Sequence, residues 1–384
     1  METEIDRVLS RGVAKVIPDK KGLRDLISKK KIRLYLGIDP TAGKLHLGHT
    51  INLRKLQEFA DLGHEAILVV GTGTVLVGDP SLREQKREQI TDREIRENIK
   101  TWKKQVGKVV DLKKIKIKHN GDWLFKLGYR EINEISSQIS SIKLYSRDSF
   151  QRRLKKGDTV WTNETLYPLF QGYDSVYLDV DLEIGGTDQI FNMLIGRDLQ
   201  KKMNSREKYV MTSPMILGID GNQMSKTSGN CVWIDDNPGE MYGKIMSIPD
   251  NLINDYFELL TSIDPKTVKD KNPKDRKVKL ATEIVTIYHG QTKAGKAAGD
   301  FEAIFKKKEI PTNLKEVKVS GKELNILDLL VKTKLADSKS KARKLVEQGG
   351  VKIDKKTERN WKKNISIKKG LIIQIGKRNF VRIK

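Results

Sequence analysis

The stretch from residue 34 to residue 70 limits most sharply what this chain can fold into. Its apolar run at 34–38 reads as a buried strand, and Asp39-Pro40-Thr41-Ala42-Gly43 supplies the turn residues that end it. His46-Leu47-Gly48-His49 then opens an amphipathic helix with Leu53, Leu56 and Phe59 as its stripe and Gly63 as its stop. A second apolar run at 67–70 completes a strand–turn–helix–strand unit, the building block of an α/β domain on a parallel sheet. The helix of such a unit starts at the carboxyl end of its strand, where unpaired N–H groups and the helix dipole favour an anion.

Two phosphate-binding patterns come close here and fail. Five residues separate Gly37 from Gly43, and Leu45 follows Lys44 where a phosphate-binding loop needs Ser or Thr. Gly71-Thr72-Gly73 has Leu76 in place of the third glycine of a dinucleotide fingerprint. What remains is His46-x-Gly48-His49 at a helix start. Histidines three apart share one face of the first turn, where both imidazoles can donate to phosphate oxygens, and Gly48 leaves room for a flat ring. Two polar capping residues would look the same.

Far downstream, Gln223-Met224-Ser225-Lys226-Thr227-Ser228 follows an apolar run at 215–219, read as a strand, and an Asp220-Gly221 turn. The loop offers a cation and hydroxyls and no base. That inventory suits stabilising negative charge on a transferring phosphate, and taken alone it also fits an ordinary surface loop.

With both motifs in this order, the chain resembles the class I aminoacyl-tRNA synthetases, and among them the bacterial-type tyrosyl-tRNA synthetases. His46-Leu47-Gly48-His49 is similar to the first class signature and 223–227 to the second, with Gln223 in place of the lysine that commonly opens it. The resemblance implies a Rossmann-like catalytic domain at 1–228 with a connecting insertion at about 121–165. It further implies an α-helical anticodon-binding domain at 229–308, a linker at 309–322 and a small α+β S4-like RNA-binding domain at 323–384. ATP would be a substrate, magnesium would arrive with it, and L-tyrosine and tRNA(Tyr) would be the partners of a homodimer. His46, His49, Thr41, Lys226 and Thr227 would be catalytic. Gly37, Asp39, Gly48, Gly186, Asp188 and Met224 would join His46, His49 and Lys226 in holding ATP. No His/Cys/carboxylate cluster has metal-ligand spacing, so no fixed metal site is expected.

Between the motifs, Gly78-Asp79-Pro80-Ser81 leaves Asp79 at a sheet edge, where a carboxylate suits an ammonium group and an Asp-Pro turn is the plainer reading. Arg83, Lys86 and Arg87 form a basic loop, with Arg83 and Arg87 expected near RNA. Tyr167, Gln171 and Asp174 are spaced four and three, so on a helix they share one face. A phenol, an amide and a carboxylate on an otherwise apolar face require a polar partner. The resemblance gives Tyr167, Gln171 and Asp79 to the substrate ammonium, Asp174 with Tyr35 to its phenol hydroxyl, and Gln189 to the amino acid. Leu182-Glu183-Ile184-Gly185-Gly186-Thr187-Asp188 brings another strand to a helix start, with Asp188 able to accept from two ribose hydroxyls.

Residues 1–33 read as helical, as do 241–246, 252–261 and 278–288, while the alternating 114–118 reads as a strand. Thr91 and Glu94 form a capping box for a helix carrying Ile95, Ile99, Trp102 and Val106. The net charge of +24 is concentrated at the end: residues 321–384 hold 19 basic and 6 acidic side chains. Such a field attracts polyphosphate. Lys339, Lys341, Arg343 and Lys344 lie on a helix there, with apolar Ala342, Leu345 and Val346 on its other side, and strands follow at 351–353 and 371–375. The chain has one cysteine, no run of 18 apolar residues and an acidic start without a basic-then-apolar pattern, so a cytoplasmic protein with no membrane role is expected. Two other readings remain open: a tryptophanyl enzyme on the same scaffold, and an RNA-binding protein that keeps the scaffold without catalysis.

Overall fold

The computed structural model describes residues 3–81, 90–224, 228–306, 314–376 and 379–384. The chain forms two compact units, Met1–Asn237 with Lys244–Gly290, and Pro238–Gly243 with Gln291–Lys384.

The first unit is built on six strands: β1 (Lys15–Ile17), β2 (Arg33–Ile38), β3 (Glu65–Val70), β4 (Ile115–His119), β5 (Leu182–Gly186) and β6 (Tyr209–Ser213). They lie in the order β1-β6-β5-β2-β3-β4, parallel throughout except for β1 against β6. Every residue of β5 is buried, and so are five of the six in β3, as expected for a parallel sheet covered on both faces. From β2 the chain moves outward through β3 to β4, and on the other side from β5 to β6. The order therefore reverses between β2 and β5, and the carboxyl ends at that switch point are where ligands bind in sheets of this kind.

The opening unit forms as expected: β2, then a helix Leu47–Asp61 with His46 as its N-cap, then β3. The amino-terminal segment differs. Between the helices Glu4–Val8 and Lys20–Lys29, β1 pairs with β6, a three-residue strand too short for any periodic signal. The helix opened at Thr91 has its capping box but ends at Lys100 and restarts as Trp102–Val106. The run at 215–219 is not a strand. Pro214 directly follows β6 and carries no N–H for the ladder, and beyond it, among the described residues, an isolated bridge joins Leu217 to Gln223.

The insertion is helical, from Gly121–Leu124 to Asp148–Lys155, and leads into the long helix Thr162–Leu178. The helices Ile253–Leu260 and Pro273–His289 belong to the first unit. Arg11 ties the former in by donating to the carbonyls of Phe257, Thr261 and Ile263 near its carboxyl end.

In the second unit, strands β7 (Lys315–Val317), β8 (Glu323–Asn325), β9 (Val351–Ile353), β10 (Lys356–Glu358), β11 (Asn364–Ser366), β12 (Ile372–Ile375) and β13 (Asn379–Ile383) form two sheets. Five run in the order β10-β9-β12-β13-β7, and β11 pairs with β8. The helices Ile326–Lys332 and Lys339–Glu347 bury Leu329, Leu330, Ala342 and Val346 against Val351 and Ile373. β7 lies inside the segment expected as a linker and pairs in parallel with β13.

Candidate active site

A cavity of about 350 Å³ opens at the carboxyl ends of β2, β3 and β5. Its wall brings together Gly37, Asp39, Thr41, His46, Gly48, His49, Asp79, Tyr167, Gln171, Asp174, Gly186, Asp188, Gln189 and Met224, all of them predicted from the sequence.

The loop between β2 and the helix at 47 is held from outside. Asn98 Nδ2 donates to the Pro40 carbonyl at 2.9 Å, Trp102 Nε1 to Ala42 at 2.9 Å, and Thr101 Oγ1 to Gly43 at 2.7 Å. Gln105, fully buried, donates to the Gly43 carbonyl and accepts from Leu45 N, both at 2.8 Å. Thr41 and His46 are thus fixed by side chains of the helical pair Asp92–Lys100 and Trp102–Val106.

The two histidines cap their helix, and the capping sets their chemistry. His46 Nδ1 accepts from Gly48 N at 3.1 Å, and His49 Nδ1 accepts from His46 N at 3.2 Å. Burial pushes His46 down to about 2, helped by the neighbouring His49, and pushes His49 down to about 4 against its bond to the His46 backbone. Both rings are therefore neutral at pH 7. With Nδ1 occupied as an acceptor, each carries its proton on Nε2, leaving two N–H donors at a helix N-terminus. Their centroids are 3.9 Å apart, with Trp233 edge-on to His46. A Cβ at Gly48 would sit 2.9 Å from the His46 ring, so this glycine makes room for a ring of the chain itself.

Acidic groups dominate the rest of the wall. Asp39 accepts from Thr74 Oγ1 at 2.7 Å and from Tyr167 OH at 3.0 Å, and a Cβ at Gly71 would collide with its carboxylate. Gln189 Nε2 bridges Asp79 at 2.8 Å and Asp188 at 2.9 Å, and burial raises Asp188 above the usual carboxylate range. Asp174 accepts from Trp123 Nε1 at 2.9 Å and Asn120 Nδ2 at 3.1 Å, yet burial still pushes it up to about 8. Five carboxyl groups line the cavity, counting Glu183, and among the described lining residues there is no lysine or arginine.

Tyr35 lies deeper than the other predicted residues. It is fully buried and absent from the cavity wall, and its hydroxyl bonds Ser175 Oγ at 3.0 Å and the Gln171 carbonyl at 3.3 Å. Asp174 lines the cavity in front of it and acts on the Tyr35 hydroxyl electrostatically. Lys226, Thr227, Arg83 and Arg87 lie outside the described residues. In the second unit, Lys339, Lys341, Arg343 and Lys344 are exposed on the helix Lys339–Glu347, and Arg343 lies 4.3 Å over the Trp361 ring.

Several groups at or beside the wall escaped the sequence reading. Asn120 and Trp123 serve Asp174, Asn52 lines the cavity, and the buried Arg147 donates to Ser81 at 2.6 Å and Asn192 at 2.9 Å. Glu183 was legible in principle, since a carboxylate inside an apolar strand demands a partner.

Residues 28–306 match the family model described as tRNA synthetases class I (W and Y), and residues 300–383 match one described as Tyrosine--tRNA ligase SYY-like C-terminal domain. The chain is 42% identical to the tyrosine–tRNA ligase of Thermotoga maritima over 98% of its own length and 96% of that relative. It is 37% identical to tyrosine–tRNA ligase 2 of Clostridium acetobutylicum, with 98% and 97% covered. Its fold is similar to that of a C-terminally truncated mitochondrial tyrosyl-tRNA synthetase of Aspergillus nidulans, with a TM-score of 0.69 and 22% identity over 79% of this chain and 95% of that one. It is also similar to tyrosyl-tRNA synthetase complexed with L-tyrosine from Archaeoglobus fulgidus, with a TM-score of 0.62 and 21% identity over 77% and 99%.

Proposed function

The chain belongs to the class I tRNA synthetases of the tryptophan and tyrosine type, as a bacterial-type tyrosine–tRNA ligase, and from that membership we propose how its residues divide the work. Asp79, Tyr167, Gln171 and Gln189 take the α-ammonium side of L-tyrosine, and Asp174, braced by Asn120 and Trp123, takes the phenol hydroxyl with Tyr35. Gly37, Asp39, Gly48, Gly186, Asp188 and Met224 hold ATP, which brings its magnesium with it.

In the first step a carboxylate oxygen of tyrosine attacks the α-phosphorus of ATP, and the bond to the bridging oxygen breaks, giving tyrosyl-adenylate and pyrophosphate. In the second, a terminal ribose hydroxyl of tRNA(Tyr) attacks the acyl carbon, AMP leaves with the bonding pair, and the hydroxyl proton is released. No covalent enzyme intermediate is needed. Catalysis lies in aligning two anions and in donors aimed at the charge that builds on phosphorus. His46 and His49 give Nε2–H, Thr41 a hydroxyl, and Lys226 with Thr227, two and three residues after the cavity-lining Met224, the cation and a further hydroxyl. Losing one such donor typically costs about 10²–10³ in rate.

One observation carries this reading. A single cavity at the sheet's switch point gathers two neutral, donor-ready histidines, an acidic cradle for an ammonium and a braced carboxyl for a hydroxyl. Phenylalanine would leave Asp174 without its partner, a mode of rejection for which tyrosine-activating enzymes are themselves the standard example.

Phe125, Tyr129, Ile142, Leu154, Trp161 and Tyr177 are all exposed, and this apolar group around the insertion supports a homodimer, which sedimentation would reveal. The basic second unit supports tRNA binding. No helix among the described residues is long and apolar enough to cross a membrane, and the bacterial relatives support a cytoplasmic location.

The test is amino-acid-dependent exchange of labelled pyrophosphate into ATP, with tyrosine, phenylalanine and tryptophan side by side. Exchange with tyrosine alone is expected. Exchange with tryptophan would reassign the specificity, and exchange with none of them would leave an RNA-binding protein.

A further inference from the structure

Behind the tyrosine side of the cavity lies a closed circuit of hydrogen bonds. Gln171, on the wall, donates from Nε2 to Glu183 Oε1 at 3.0 Å, and its own Oε1 has no hydrogen-bond partner among the described residues. Glu183 is 2% exposed, and its Oε2 is held by Lys208 Nζ. Lys208 is 0% exposed and also donates to Ser175 Oγ. Ser175 meets the Tyr35 hydroxyl, and Tyr35 donates to the carbonyl of Gln171, where the circuit closes.

The direction of every bond follows from its ends. An ammonium only donates and a carboxylate only accepts. Lys208 therefore gives hydrogens to both Ser175 and Glu183, and because the one hydrogen of Tyr35 goes to the Gln171 carbonyl, Tyr35 accepts the hydrogen of Ser175. Glu183 can take only an N–H from Gln171. The carboxamide consequently cannot turn over, and its oxygen is the atom left for the cavity.

We propose that Glu183 and Lys208 are positioning residues for the amino-acid half of the site: together they fix the Gln171 carboxamide with its oxygen free to accept from the α-ammonium of tyrosine. This rests on the tyrosine-activating reading of the cavity. A buried ion pair of this kind is a costly way to gain stability, and registry of a neighbouring group is a use that justifies it.

The decisive variant is Glu183→Gln, which is isosteric. Lys208 still has to donate, so it takes the new amide oxygen and turns the new NH2 toward Gln171. Gln171 answers with its oxygen and presents its own NH2 to the substrate ammonium. In pyrophosphate exchange the KM for tyrosine should rise roughly ten- to hundred-fold, while the KM for ATP stays unchanged. The desamino analogue 3-(4-hydroxyphenyl)propionate should compete equally well against variant and wild type, because it has no ammonium to misread.

Lys208→Met gives a second route to the same loss of register, since it removes the ammonium that holds Glu183 as an acceptor toward Gln171, and it should raise the same KM. Combining Glu183→Gln with Lys208→Met frees the amide at 183 to accept again and should recover most of the tyrosine affinity. A network that served stability alone would give the opposite order, with the double variant the weakest. The proposal is overturned if both single variants keep the wild-type KM for tyrosine, or if they weaken tyrosine and its desamino analogue alike. Wild-type protein that shows no tyrosine-dependent exchange would instead remove the reading of the site on which the proposal stands.

Discussion

Asp174 illustrates how one buried side chain couples recognition to stability. Its carboxyl is pushed up to about 8 by burial, against the donors Asn120 and Trp123. Above the ordinary carboxylate range and below about pH 8, the unfolded chain has released this proton and the folded chain still holds it. Stability conferred by the group is therefore complete in acid and declines as pH rises through that window, at up to about 1.4 kcal/mol per pH unit. Asp174→Asn abolishes the titration. Thermal melting of both proteins should show the wild type losing ground to the variant between about pH 5 and about pH 8, with a difference that then levels off. A gap independent of pH would mean that the folded carboxyl titrates normally. His46 and His49 were legible from type and spacing, and so was their capping. Capping and the proposed phosphate contact are compatible in one geometry, since occupying Nδ1 as an acceptor leaves Nε2–H to donate. The depth of Tyr35 was not legible, because Leu34, Tyr35 and Leu36 are all buried, and a strand buried on both faces gives no alternation to say which side chain faces the cavity. Lys208 was missed because its partner Glu183 is distant in sequence, and a lone lysine reads as surface.

At the scale of elements, the loop after β2 owes its shape to side chains of the helices Asp92–Lys100 and Trp102–Val106 and of Thr101 between them. Gln105, fully buried, accepts from Leu45 N–H and shares the Gly43 carbonyl with Thr101 Oγ1. Gln105→Leu keeps the volume and orphans Leu45 N–H, at roughly 1–3 kcal/mol, while the Gly43 carbonyl is left with Thr101 alone. Beyond a lower melting temperature, the exchange rate at saturating tyrosine should fall more than tyrosine affinity, because Thr41 and His46 sit on this loop whereas Asp174 and Gln171 sit on a separate helix. Equal losses in rate and affinity would indicate general loosening. The order of strands and helices around this loop was readable because each long element carries its own period. The exceptions share a cause. β1 is three residues long and draws its pairing from β6, and the run at 215–219 is apolar but lies behind Pro214, so it lacks the continuous ladder that makes a strand. The helix from Thr91 looked continuous because its apolar stripe crosses Thr101, where the side chain instead bonds the Gly43 carbonyl.

Across the whole molecule, charge is distributed against its average. A chain of net +24 places five carboxyl groups around its cavity and its densest positive field in residues 321–384. The acidic wall suits one small cation, the ammonium of an amino acid, while the basic unit suits a polyanion too large for any cavity. The basic half of that partition was visible in composition; the acidic wall and which basic side chains are available were not, because both are matters of geometry. Lys339 pairs with Asp328, Lys341 with Asp337 and Arg343 with Glu347, all at exposed positions. Exposed pairs of this kind are worth only about 0–1 kcal/mol, so a phosphate displaces the carboxylate at small cost. Replacing Lys339, Lys341, Arg343 and Lys344 by Ala should therefore weaken tRNA(Tyr) binding and flatten its dependence on salt, the slope of log K against log salt falling by about 0.7–0.9 for each phosphate that is no longer neutralised. Tyrosine-dependent pyrophosphate exchange, which involves no RNA, should be untouched in the same variant. Weaker binding with an unchanged salt slope would mean that this helix shapes the unit without touching the backbone, and that the polyanion is held on another face of the molecule.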